Sequence, residues 1–250
     1  MHFRLKAFSL HLLSSATVLT LILGCLYFGW YRWPGWYLTD VSLVVLVMVG
    51  VDVVLGPTLT LIIANSNKPR RELTRDIGII VTVQLCALSY GSVQLWNGRP
   101  LYYVFSENAL SVVQAYDIND QDADLGRQQN AEFAPHWYSL PRWVWAPLPQ
   151  DPQERQALVS GIGAGAAVIS MPKYYKPWEQ GLPALRDQLI KPDDSKFFSG
   201  VEKKKLKQHM QAAGLATDQA DALPFTGRTR PLLAVFRRSS LQIAGMFKPK

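Results

Sequence analysis

Three stretches of this chain stay apolar for longer than an ordinary core helix needs: residues 7–29, 41–63 and 77–96. The hydrocarbon core of a bilayer is ~30 Å thick, and a helix crosses it with about 20 predominantly apolar residues. In hydrocarbon the backbone polar groups must be satisfied within the segment, which makes these stretches helices. No other part of the chain qualifies; residues 159–171 are rich in Gly and Ala but too short, and read as part of a soluble core. The chain therefore divides into a transmembrane domain, residues 1–97, and a water-soluble domain, residues 98–250, large enough to bury a core of its own.

Orientation follows from the loops, because basic residues stay on the cytoplasmic side. The N-terminal tail carries Arg4 and Lys6, and the loop between the second and third spans carries Lys68, Arg70, Arg71 and Arg75. The loop between the first and second spans has only Arg32. Tyr27, Trp30, Trp33, Trp36, Tyr37 and Trp96 are expected to gather at the opposite, outer interface. This places the N-terminus in the cytoplasm and the soluble domain outside, which is the periplasm if the membrane is a bacterial inner membrane. Ile22-Leu23-Gly24-Cys25 has the look of a lipidation box, but Leu26-Tyr27-Phe28 continues the apolar run where a polar tether belongs. Cys25 reads as a core or lipid-facing residue.

The soluble domain reads as mixed α+β. Residues 101–105 and 111–115 have strand character and are joined by a Glu107-Asn108 turn, giving a hairpin. The acidic run at residues 117–124 reads as a solvated loop, and residues 137–145 as an edge strand and loop. Asp151-Pro152-Gln153-Glu154 and Ser199-Gly200-Val201-Glu202 carry the cap and reaching Glu of helix starts. Lys203, Lys204, Lys205 and Lys207 follow the second of these as a solvated helix face. Residues 232–236 and 241–247 close the chain as a strand pair.

The net charge of +7 is spread over both parts and gives no basic patch that demands nucleic acid. Both cysteines, Cys25 and Cys86, fall in apolar stretches, so a Cys-based metal site in the soluble domain is excluded. There is no HExxH, P-loop or CxxC pattern. The histidines are scattered, with His2 and His11 toward the cytoplasmic end. Gly161-Ile162-Gly163-Ala164-Gly165 lacks the strand and helix of a dinucleotide turn. No catalytic residue, cofactor or metal site is expected.

Asp52, near the middle of the second span, is the most informative single residue. A carboxylate at the bilayer centre costs about 3 kcal/mol even on lenient insertion scales. It needs a protein partner, a water cavity or a proton. Gly56 and Pro57 beside it allow close helix approach and loosen local backbone pairing. Gln84 on the third span lies at similar depth, and Thr20 on the first can face inward. Two readings stand open: a structural contact among these three residues, or a site that receives a transmembrane segment of a partner.

Residues 33–91, with GVDVVLGP followed by NxxKPRREL, and residues 98–118, opening GRPLYYVF, resemble the type IV pilin accessory proteins of the TfpX/TfpZ kind. The resemblance singles out Asp52, Gly56, Pro57, Lys68, Pro69, Arg70, Arg71, Arg99, Pro100 and Tyr103 without giving them a chemical role. It implies an inner-membrane factor that promotes assembly or surface display of type IV pili. The implied partners are a major or minor pilin, the pilus assembly machinery and membrane lipid. A pilin waits in the membrane as one apolar helix with its head outside, so its handler needs a transmembrane groove and an outer domain. The alternative is an envelope enzyme that modifies pilin or another periplasmic substrate.

The loop charges make a topology prediction. A reporter fused after Lys68 should report cytoplasm and one fused after Arg99 periplasm; a periplasmic signal at Lys68 would reverse the orientation.

Overall fold

The structure is a computed structural model that describes residues 2–66, 68–159, 168–194 and 196–249. By internal contacts the chain forms two compact units, residues 1–32 with 41–98, and residues 33–40 with 99–250. The glycine-rich run at residues 161–165 lies outside the described residues.

The first unit holds three helices long and apolar enough to cross a membrane: α1 with its extension (His2–Tyr31), α2 (Ser42–Ile63) and α3 (Arg70–Asn97). Leu10, Leu13, Leu21, Leu43, Leu46, Ile62, Ile79 and Val83 all point outward. An outward face this apolar calls for a hydrocarbon solvent. At one end of the unit Trp30 meets Trp96 edge to face, with centroids 5.1 Å apart, and the buried Tyr31 hydroxyl donates to the Leu95 carbonyl at 2.6 Å.

The second unit is mixed α+β. Its strands are β1 (Pro100–Ser106), β2 (Ala109–Gln114), β3 (Arg142–Trp145), β4 (Lys176–Pro177), β5 (Ala220–Thr226), β6 (Leu232–Arg237) and β7 (Ile243–Phe247). They form one sheet in the order β4-β3-β1-β2-β5-β6-β7, with parallel β1–β3 and β2–β5 pairs and the other pairs antiparallel. The expected β1–β2 hairpin turns at Glu107, which adopts φ 50°, and β6 and β7 pair as expected. β3 corrects an expectation: it lies inside the sheet, because the two-residue β4 covers its outer edge.

Side chains alternate along a strand, so both faces of a central strand are buried only when each is covered. Along β1, Tyr102 and Val104 pack with Val113, Val144, Phe133 and Tyr175, while Tyr103 and Phe105 pack on the other face with Leu110, Phe225 and Phe236. Helix α4 (Asp120–Gln129) supplies Ala123 to the first cluster, and α6 (Leu182–Gln188) supplies Leu185 to the second. α4 replaces the solvated loop expected at residues 117–124. Asn119 accepts a hydrogen bond from the Asp122 amide at 2.8 Å, and Asp120 and Asp122 fall in the first turn, where carboxylates complement the helix dipole. The acidic run is a helix start.

Helix α5 (Pro152–Val159) begins at its expected signal, with Asp151 Oδ1 accepting from the Gln153 amide. Helix α7 (Gly200–Ala212) begins with the expected reciprocal cap between Ser199 and Glu202. It covers the far end of the sheet, where Leu206 and Met210 pack on Ala220, Ala222 and Val235.

Residues 33–40, expected as an interfacial aromatic loop, form a strap within the second unit. A helical turn, Gly35–Leu38, buries Leu38 completely against Phe105, Leu232 and Phe236. The Arg228 amide donates to the Leu38 carbonyl at 2.8 Å. The strap comes so close to Gly227 that a Cβ there would stand 2.6 Å from the Leu38 oxygen. Asp40, at φ 54°, accepts from the Thr229 hydroxyl at 2.6 Å and pairs with Arg230 at 3.1 Å. The Arg230 and Lys248 cations lie over the Tyr37 ring. Burial pushes the Tyr103 hydroxyl well above the usual tyrosine range, and a hydrogen bond from the Gly35 backbone offsets this only in part.

The strap is therefore part of the soluble core. Leu38→Ala should destabilise the second unit by about 2–5 kcal/mol, the range for emptying a buried leucine site. Thermal unfolding of the purified full-length protein, followed by near-ultraviolet circular dichroism, measures it.

Candidate functional site

Helix α2 changes its winding around Asp52. Residues Gly50–Leu55 are π-wound, and the Gly56 amide donates to the Val51 carbonyl, five residues back instead of four. The cause is one residue further on. Proline lacks an N–H, and its ring collides with the carbonyl four residues earlier in an α-helix, so Pro57 forces a wider turn. In that wider register the Asp52 carbonyl should receive the amide of residue 57. Pro57 has none to give.

The orphaned carbonyl is satisfied from α3. Gln84 Nε2 donates to the Asp52 carbonyl at 3.0 Å. With its amide nitrogen so committed, Gln84 Oε1 accepts, and His11 Nε2 approaches it to 2.8 Å. That assigns the proton to Nε2, leaving Nδ1 to accept from the Thr60 hydroxyl at 2.6 Å. The result is one directed chain across three helices: Thr60 to His11, His11 to Gln84, Gln84 to the Asp52 backbone.

Gly56 makes room for it. A Cβ at Gly56 would lie 2.0 Å from Gln84 Nε2 and 2.2 Å from its Cδ, inside contact distance. The amide of Gln84 lies directly against the Gly56 backbone. Gly56, Pro57 and Gln84 thus work together: Pro57 frees the carbonyl, Gln84 fills it, and Gly56 admits Gln84.

Asp52 itself was expected to meet Gln84 and Thr20 through its carboxylate. The structure brings Gln84 to its backbone instead, and Thr20 is exposed on α1, outside the cluster. Thr20 is nine residues from His11, ~13 Å along a helix rising 1.5 Å per residue, which puts it at another depth. His11 and Thr60, which sequence reasoning left aside, supply the missing members. The signal available for Thr60 was its place four residues after Gly56 on α2, one turn along the same face; His11 carried only the general one, a polar residue inside an apolar stretch.

The Asp52 carboxylate is left over. The residue is 4% exposed, and its Oδ2 atom is buried with no hydrogen-bond partner among the described residues. It lines a 140 Å³ recess whose walls are His11, Ser14, Ser15 and Val18 of α1 and Val81, Gln84, Leu85 and Leu88 of α3. A recess of this size holds a single side-chain end, and its mixed lining suits a group with an apolar stem and a donor tip. An unpaired carboxylate oxygen asks for an N–H or O–H donor.

At the other end of α2, Lys68 reaches Asp76 at 2.9 Å and Arg75 reaches the same carboxylate at 3.2 Å, while Arg70 and Arg71 are exposed. In the second unit, His136 stacks on Tyr138 and His209 on Phe247, each ring engaged with another. A 620 Å³ recess there is lined by Trp143, Trp178 and Leu182 with Glu132, Arg142 and Glu179, and has no histidine or cysteine in its wall. Among the described residues, no three His, Cys, Asp or Glu side chains come together in a way that could hold a metal ion.

Over 227 residues, 89% of its length, the chain is 26% identical to the fimbrial assembly protein of serogroup I from Dichelobacter nodosus, of which it covers 86%. The serogroup E1 protein of the same organism is 25% identical over the same shares. The protein of serogroups C1 and C2 is 32% identical over 116 residues, 46% of this chain and 88% of that protein. No family profile matches the chain. No solved structure matches it.

The cluster predicts a pattern of coupled effects. Gln84→Leu leaves the Asp52 carbonyl and the His11 N–H unpaired and should destabilise the first unit by about 2–4 kcal/mol. Gly56→Ala should cost a similar amount by expelling the amide, and the double variant should cost little more than either alone. Asp52→Asn should stay within about 1 kcal/mol of the native protein. Unfolding of the full-length protein in nanodiscs tests all four.

Proposed function

This chain belongs to the family of fimbrial assembly proteins, and from that premise we propose that it is a non-catalytic inner-membrane factor for type IV pilus assembly that engages pilin through the recess at Asp52. The observation that carries the proposal is the buried Asp52 Oδ2, without a partner among the described residues, facing a recess between two helices whose outer faces are apolar. A pilin's single apolar helix can lie against α1 and α3 and place one donor in the recess. Interhelical hydrogen bonds in bilayers contribute about 0.6–2 kcal/mol. A grip of that strength holds a subunit and lets it go, which an assembly factor has to do.

The strap supports the topology that this role needs. Residues 33–40 and the domain from residue 99 onward form one compact unit, so they share a side of the membrane. Two spans separate them, and two crossings return a chain to the face it left. With the basic residues 68–75 in the cytoplasm, that shared side is the periplasm, where the head of a pilin also resides. The resemblance to proteins of the TfpX/TfpZ kind agrees with this placement.

Deleting the protein should lower sheared surface pili while leaving total pilin unchanged. Asp52→Asn should leave its own abundance normal and reduce both pilin crosslinking and surface piliation. Normal crosslinking and piliation in that variant would remove the carboxylate from the mechanism. Accumulation of pilin with a discrete mass difference in the deletion strain would point to an enzyme instead.

A further inference from the structure

The recess at Asp52 is one end of a longer groove between α1 and α3. Its lining residues on α1, His11, Ser14, Ser15 and Val18, step by three and four, as one face of a helix does. The same steps continue through Leu21, Ile22 and Cys25 to Trp30, where a second recess of 500 Å³ opens against Val93 and Trp96 of α3. On α3 they run from Val81 through Leu85, Leu88 and Ser92 to Trp96. Both helices pack chiefly on α2. They meet each other where His11 Nε2 lies 2.8 Å from Gln84 Oε1, and again where the Trp30 and Trp96 rings come within 5.1 Å. Leu26 is buried in the floor of the second recess, while Val18, Leu21, Leu85 and Val93 on the rims are between 45% and 64% exposed.

The length of the groove decides what fits it. From His11 to Trp30 it runs ~28 Å, close to the ~30 Å of hydrocarbon in a bilayer. A lipid tail reaches through one leaflet, about half of that thickness, and has no N–H or O–H to give. Asp52 Oδ2, buried and without a partner among the described residues, needs such a donor. An α-helix runs the whole length and can carry one. Ser14, Ser15, Cys25 and Ser92 are small side chains along the walls, which lets a second helix approach closely. Ser15 and Cys25, one at each recess, are separated by ~15 Å along α1.

We propose that this groove docks one transmembrane helix through two subsites at a fixed spacing: the recess at Asp52 takes a donor side chain, and the recess at Trp30 takes a bulky apolar one about ten residues away. The occupant is a helix that carries this pair, and in the assembly role it is the helix of pilin. The inference rests on the reading of Asp52 as a pilin contact, and adds to it the second subsite and the register.

The test uses the full-length protein in cells that make pilin. A small diazirine amino acid is placed singly at Ser15, Val18, Cys25 or Val93, and at Leu46 and Val83 as controls on exposed faces outside the groove. Illumination traps the neighbouring molecule, and mass spectrometry identifies it and the site of attachment. The four groove positions should trap pilin several-fold more than either control, and the sites reached from 15 and 25 should lie about ten residues apart on the pilin helix. Pilin adducts at 15 and 18 with none at 25 and 93 would overturn the groove and leave the contact at Asp52 standing. Lipid adducts alone at 25 and 93 would do the same. No pilin adduct at any position would overturn both readings. Equal trapping at groove and control positions, or attachment sites at another spacing, would overturn the single docked helix. Each variant counts only at normal abundance, and Val18 and Val93 report on the two recesses if Ser15 or Cys25 does not tolerate the probe.

Discussion

A backbone carbonyl that loses its amide in hydrocarbon has to find another donor inside the protein, and the arrangement of the three helices follows from that one requirement. Pro57 creates the vacancy at the Asp52 carbonyl, and no water is at hand to fill it. Gln84 crosses from α3 to do so, His11 follows from α1, and Thr60 closes the chain on α2. Each donor and acceptor is used once and in one direction. Helices that lack a hydrophobic drive to associate in lipid are thus registered to one another by polar groups at a single depth. Gly56 is the steric condition for that register.

The same economy explains why Asp52 is a functional candidate. A side chain kept only to join the spans would be expected to use its carboxylate for the purpose. Here its backbone does the joining, and any residue would supply that carbonyl. What remains specific to aspartate is a buried oxygen with no partner in the described residues, beside a recess sized for one side-chain end. Retaining it without a role would mean carrying a desolvation cost for nothing. The contact expected between the Asp52 carboxylate and Gln84 is made by the Asp52 backbone instead, and Thr20 lies outside the cluster.

The strap is the second device that joins distant parts of the chain. The peptide between the first two spans is too short to fold alone, yet it buries Leu38 completely by borrowing the core of a sheet formed from residues 100–247. Asp40 ends it in a left-handed conformation held by Thr229 and Arg230. A loop that reads as an interfacial belt of aromatics is therefore divided. Tyr27 and Trp30 stay with the helices, while Trp36 and Tyr37 go with the domain.

Features set by local chemistry were legible in the sequence. Span length, the β1–β2 hairpin, the Ser199–Glu202 cap and the pairing of the last two strands each depend on neighbours a few residues apart. Asp52, Gly56, Pro57 and Gln84 were marked by the rarity of such residues in apolar stretches. The acidic run at residues 117–124 reads as loop because carboxylates mark both solvated turns and helix starts; the Asn119 cap makes it a helix start. What the tertiary structure alone decided is pairing across distance: that His11 and Thr60, and not Thr20, complete the cluster, that Gln84 meets the backbone of Asp52, and that Leu38 belongs to a sheet more than 60 residues away. Periodicity reports which face of a helix is polar. It does not report the rotation and depth at which that face meets another helix, and those are set by packing among all three.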